Sequence, residues 1–220
     1  MTRFLFILTV LLAVTSCSNP TGYKSTTNNP VNTANSFKVG SYWLTPKKSF
    51  DFNSVGKSSI DTLHLVTCSS YIYFPFGKLT DKSSLNASLL KNFNIISSKL
   101  DTFTNIMMPS DTSDNFKQWS ETIELELGPN KLSLFLDNDP ESSKHGYIRG
   151  GQIMDSKVLF LNDIKVGMGI EAFCKKFFDY FPTALSKKFK VVKLESCVAD
   201  VTHISTFNNG LLRSVIFINQ

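Results

Sequence analysis

Arginine is nearly absent from this chain. Arg3, Arg149 and Arg213 are the three in 220 residues, and the remaining positive charge sits on scattered lysines, paired at Lys47-Lys48, Lys175-Lys176 and Lys187-Lys188. Nucleic-acid readers concentrate arginine on a recognisable module, so no nucleic-acid partner is expected and the lysines read as solvated charges. Cysteine is scarce, with four residues, and there are three histidines. No run is long enough to span a bilayer, which takes about 20 apolar residues. Gly-x-Ser-x-Gly, His-Glu-x-x-His and phosphate-binding glycine loops are all missing, which excludes the chemistries those arrangements carry. Ser54-Val55-Gly56-Lys57 and Ser88-Leu89-Leu90-Lys91 match the Ser-x-x-Lys nucleophile pattern. No Lys-Thr-Gly accompanies them, and so serine- and lysine-rich a chain produces such matches by chance. No catalytic residue, metal or cofactor is expected.

What is present begins at the N-terminus. Phe4 to Val14 is an eleven-residue apolar run preceded by Arg3 and followed by small residues. A charged start, a short apolar middle and a small-residue junction form the pattern of an export signal. Val14-Thr15-Ser16-Cys17 resembles the lipobox of bacterial lipoproteins, in which the cysteine becomes the lipid-bearing first residue. The resemblance implies a signal peptide over 1–16, lipidation of Cys17 and a membrane partner reached through that anchor. One acyl chain binds marginally and two or more hold firmly, so the anchor would be permanent. Residues 17–36 continue in Asn, Thr, Ser and Pro without apolar periodicity, a composition expected to form a flexible spacer. The lipobox and the Asn/Lys/Phe-rich body resemble lipoproteins of Bacteroidetes, in which acidic residues after the cysteine direct export to the surface. Ser18, Asn19 and Pro20 lack that signal, which points to the periplasmic face of the outer membrane.

The remaining 37–220 are enough for one globular region or two small ones. Without Arg3 the balance is 22 basic against 18 acidic residues. Ile170, Phe173, Cys174, Phe177, Phe178 and Phe181 recur at intervals of three and four and predict an amphipathic helix between Gly167 and Pro182. Leu85, Leu89, Leu90 and Phe93 predict a weaker one. "KNFNII" at 91–96 and "KKFKVV" at 187–192 follow these stretches in similar pattern, so a duplication with units 37–160 and 161–220 is expected. Alternation in 122–136 predicts a hairpin turning at Gly128-Pro129-Asn130, and Asn208-Asn209-Gly210 predicts another between the last two strands. Helices against antiparallel meanders give an α+β class.

"LNDIKVGMGIEAFCKKFF" followed by a meander resembles the opening of the beta-lactamase-inhibitor-like fold shared by the SmpA/OmlA family of small outer-membrane lipoproteins. The similarity rests on Ile164, Val166, Gly167 and Met168 within about 161–218. It implies a fold rather than an activity.

Among candidate site residues, His64 and His203 lie in strands with apolar neighbours and read as structural. Asp137, Asp139, Glu141 and His145 share one loop, but without the spacing of a calcium site, so a solvated turn is expected. Beyond Cys17, an oxidising periplasm allows one pair among Cys68, Cys174 and Cys197. Cys174 with Cys197 closes the shorter loop, while Cys174 on an apolar stripe also fits a free thiol packed as a small hydrophobe. "SSYIYFPFG" at 69–77 reads as a strand buried on both faces, or else as an aromatic binding groove. Two functions remain: a non-catalytic envelope lipoprotein holding a protein or glycan partner, and a wall or glycan hydrolase using Glu124 and Glu126.

Overall fold

The computed structural model describes residues 36–50, 52–55, 59–105, 116–140, 145–198 and 201–219. The export segment 1–16, Cys17, the spacer through 35, Lys57 and Glu141 lie outside them. Among the described residues twelve strands form two sheets: β1 (Phe37–Val39), β2 (Tyr42–Pro46), β3 (Phe52–Val55), β4 (Thr62–Thr67), β5 (Asn94–Asn105), β6 (Phe116–Leu127), β7 (Asn130–Asp137), β8 (Gly146–Ile153), β9 (Phe178–Tyr180), β10 (Val191–Ser196), β11 (Val201–Asn208) and β12 (Leu211–Asn219). The large sheet runs β3-β4-β10-β11-β12-β8-β7-β6-β5 and the small one β1-β2-β9. β10 pairs with β4 in parallel, and the other ladders are antiparallel.

This architecture overturns the α+β expectation. Strand takes 51% of the described residues and helix 15%. The α-helices among the described residues are α1 (Ile170–Phe177) and α2 (Thr183–Ser186), accompanied by three 3-10 turns. The large sheet also crosses the 160/161 boundary, because β4 pairs with β10 and β8 with β12. Units 37–160 and 161–220 therefore share one sheet, inside a single compact unit.

Each misread segment has a local cause. The leucines near 85–93 begin in a 3-10 turn over Lys82–Ala87, not in a helix. Asp81 Oδ1 accepts the Ser84 N–H at 2.9 Å, while Ser88 Oγ donates to the Leu85 carbonyl at 2.8 Å and accepts from Leu90 N–H at 3.0 Å. Short hydroxyl and carboxylate side chains thus take over the backbone partners that a helix would use. "SSYIYFPFG" forms a 3-10 turn at Ser70–Ile72, not a strand, and Gly77 at φ +99° bends the chain onward. The aromatic helix stops at Phe177 because Phe178–Tyr180 pairs with the edge of β2. Phe178 stacks on Phe52 there, with ring centroids 5.3 Å apart.

The hairpins follow the sequence pattern. Asn209 and Gly210 have φ of +50° and +73°, the two left-handed residues of a tight turn between β11 and β12. Gly128 at φ +58° opens the β6–β7 turn. Gly151 allows a close approach between strands, because a Cβ there would lie 2.3 Å from the Lys131 carbonyl oxygen. One face of the large sheet is buried by Leu63, Leu65, Val192, Leu194, Ile123 and Leu134 among others. Around α1 its cover is largely aromatic. Phe177 contacts Phe50 at 4.8 Å and Tyr71 at 5.5 Å between centroids, and Phe173 contacts Phe207 at 5.2 Å. Such pairs contribute about 0.5–1.5 kcal/mol each beyond the area they bury.

Candidate functional site

Three loops meet beside this aromatic cover. Ser49 and Phe50 come from the β2–β3 connection, and Ser69, Ser70, Tyr71, Phe74 and Lys78 from the segment after β4. Leu161 and Asn162 come from the 3-10 turn over Leu161–Asp163. Together they line a surface depression of about 450 Å³. Leu161 N–H donates to the Pro75 carbonyl at 2.7 Å and ties two of the loops together. Ser69 caps its turn by accepting from Tyr71 N–H at 3.3 Å. Phe50 and Tyr71 form a buried T-shaped pair at 5.8 Å, and Phe74 is half-buried at the rim. Asn162 and Asp163 both adopt positive φ, +64° and +56°. Left-handed backbone in two consecutive non-glycine residues is uncommon, and it turns the chain sharply at the depression's edge.

Among the described residues the lining is an apolar aromatic floor with three serine hydroxyls, one carboxamide, one ammonium and no carboxylate. The hydroxyls and carboxamide both donate and accept, and Lys78 donates with a positive charge. An apolar wall with a few convergent polar groups is the ordinary make-up of a binding site for small molecules and chain segments. A second depression, about 460 Å³, lies under β5 and β6 among Lys82, Leu85, Asn86, Leu90, Lys91 and Phe93. Beside it the buried Glu121 carboxylate accepts from Lys82 Nζ at 3.0 Å and from Ser98 Oγ. Those partners keep a buried charge paired, which is a structural requirement in itself.

The described residues singled out in the sequence do not converge on one site. His64 lies on the open face of β4, its Nε2 2.8 Å from Glu195 Oε2, and Lys193 Nζ donates to that same oxygen at 2.6 Å. Lys193 first, then His64, holds the Glu195 carboxyl below the usual range. His203 is buried against Phe217, centroids 4.8 Å apart, and bonds the Ile72 backbone. Burial pushes its pKa down to about 3, so the ring is neutral at physiological pH. His145 Nδ1 sits 3.3 Å from Asp137 Oδ1, which also accepts from Asp139 N–H at 3.1 Å. Among the described residues, no three His, Cys, Asp or Glu side chains gather at metal-binding distance. Glu124 accepts from Ser133 Oγ at 2.6 Å, and Glu126 stands opposite Lys131 on the same face. Ser88 is occupied with its own turn, and Lys57 of the other Ser-x-x-Lys match is outside the described residues.

The disulfide differs from the expected pair. Cys68 bonds Cys197, not Cys174, with Cα atoms 5.1 Å apart where β4 and β10 end side by side. The parallel pairing brings residues 129 apart in sequence into contact, a proximity that loop length alone disfavours. Cys174 is a free thiol buried on α1, and burial raises its pKa, so it packs as a small hydrophobe. The depression was not read from the sequence because three distant loops build it. The one local signal was the crowd of aromatics and serines at 69–77. No family model, curated protein or solved structure matches this chain.

Proposed function

We propose that the protein is a cell-envelope lipoprotein, anchored through Cys17 in the outer membrane and facing the periplasm, whose domain holds a glycan without turning it over. The observation that carries this reading is the depression around Phe74. A sugar chain presents both C–H faces and hydroxyl groups, which suit an aromatic rim flanked by Ser49, Ser69, Ser70 and Asn162. Lys78, with no carboxylate among the described lining residues, favours a glycan bearing acidic groups. A spacer of some 20 residues reaches roughly 25 Å, enough to search the wall beside the membrane.

The test is retention of the full chain on purified, insoluble envelope glycan. Phe74→Ala, and Asn162→Gly, which keeps the left-handed backbone while deleting the carboxamide, are each expected to reduce retention about tenfold. Equal retention by the wild type and both variants contradicts the site, and release of soluble sugar fragments by the wild type contradicts a non-catalytic role. For the anchor, Cys17→Ala is expected to shift the protein out of the membrane fraction or leave an uncleaved precursor. Normal processing with unchanged membrane association contradicts lipidation.

A further inference from the structure

At the far end of the large sheet lies β5, and among the described residues no strand pairs along its outer side. It is twelve residues long, and everything described in it is exposed on both faces. Ile95, Ile96 and Leu100 are 43%, 57% and 58% exposed. A long edge with unpaired backbone groups and apolar side chains is a template for adding another strand. The charges on this edge specify which strand fits. Lys99 and Asp101 flank Leu100 and point to one face, bridged at 3.1 Å while remaining 78% and 51% exposed.

We infer that β5 pairs antiparallel with β5 of a second copy of this chain, about a two-fold axis at Leu100. A two-fold axis perpendicular to the sheet leaves each side chain on its own face, so paired residues must be an even number of positions apart. Centring on Lys99 sets lysine against lysine, and centring on Asp101 sets aspartate against aspartate. Centring on Leu100 sets Lys99 against the partner's Asp101 at both ends of the axis, Leu100 against its own copy, and Ser98 against the partner's Thr102. Opposite charges and apolar side chains directly across a ladder stabilise it, and like charges oppose it. Ile96, the extra residue of a bulge against β6, breaks the ladder on one side and confines strong pairing to the stretch after it. The result is one continuous sheet through both copies, closed by symmetry.

The experiment uses the purified protein with its spacer and domain intact, in a mild detergent that keeps a lipid anchor at Cys17 dispersed. Sedimentation velocity is expected to show a concentration-dependent dimer. Lys99→Asp is expected to weaken it about tenfold, and adding Asp101→Lys to that variant is expected to restore it. Facing residues in an antiparallel ladder lie within disulfide reach, so Leu100→Cys is expected to oxidise to a covalent dimer. Ser98→Cys is expected to cross-link to Thr102→Cys in a mixture but not to itself. Far-ultraviolet circular dichroism verifies that each variant is folded. A folded wild type that stays monomeric up to about 1 mM overturns the inference. So does a dimer indifferent to the charge reversal, one whose cross-links report another register, or Leu100→Cys joined only to a different polypeptide. None of these readouts depends on glycan binding.

Discussion

The two ends of the large sheet are built on opposite terms. Around β4, β10, β11 and β12 one face is sealed by α1 and an aromatic cluster in which Phe173, Phe177, Phe178 and Tyr71 are each at most 8% exposed. At β5 the sheet runs out into solvent, with Leu100 and Ile96 more than half exposed. The same alternating backbone thus serves as core at one end and as free surface at the other. Which it becomes depends on what the intervening loops lay over it. The depression around Phe74 belongs to the covered end, because the cover's own loops make its walls. At the bare end, no described strand pairs along the outer side of β5.

Removing the cover should produce the largest effect. Phe177→Ala is expected to cost about 3–5 kcal/mol in denaturant unfolding, since the ring is 1% exposed and contacts three other rings. A loss under about 0.5 kcal/mol would show that the aromatic layer does not hold the sheet. Next comes the Cys68–Cys197 bond, which joins the parallel pair at the covered end. Replacing both cysteines by serine is expected to cost about 2–5 kcal/mol, chiefly by freeing a long loop in the unfolded chain. Unfolding that is unchanged by reductant would exclude the bridge.

Acid sharpens the comparison, because the covered end holds the buried imidazole. The folded pKa of His203, about 3, lies below the unfolded value of 6.5. Between those values the unfolded chain binds a proton that the folded chain refuses. Stability from this group is therefore full above pH 6.5 and falls as pH drops toward 3, at up to about 1.4 kcal/mol per pH unit. His203→Gln, which keeps a donor for the Ile72 backbone, is expected to flatten that slope. An identical acid profile in the variant would mean that carboxylates alone, such as Glu195, account for it. The smallest effect belongs to the bare end. At concentrations too low for self-association, Leu100→Ala is expected to change stability by less than about 0.5 kcal/mol. A larger loss would place Leu100 in a core.

Legibility followed the same division. Both hairpins were readable because Gly128 and Asn209-Gly210 state their turns locally and the flanking strands alternate. The stripe from Ile170 to Phe181 was correctly read as buried, yet only Ile170–Phe177 is helical, since Phe178 is claimed by β2. Leucines at 85–90 imitated a helical period, while Asp81, Ser84 and Ser88 held the backbone in a 3-10 turn. What lay beyond a sequence reading was non-local: the parallel β4–β10 pair, the bridge it permits, and the three loops that meet at Phe74. An α+β class followed from reading both the leucine stretch near 85–93 and the aromatic stripe as helices against meanders, whereas the first begins in a 3-10 turn and the second is helical only over Ile170–Phe177.

The most direct measurement of the binding account is amide hydrogen exchange of the full chain, with and without soluble acidic fragments of envelope glycan. Binding at the depression predicts slowed exchange confined to residues 49–50, 69–78 and 161–162, with β5 unaffected. Absence of any protection at saturating fragment, or protection confined to β5 or to the open face around His64 and Glu195, would contradict it.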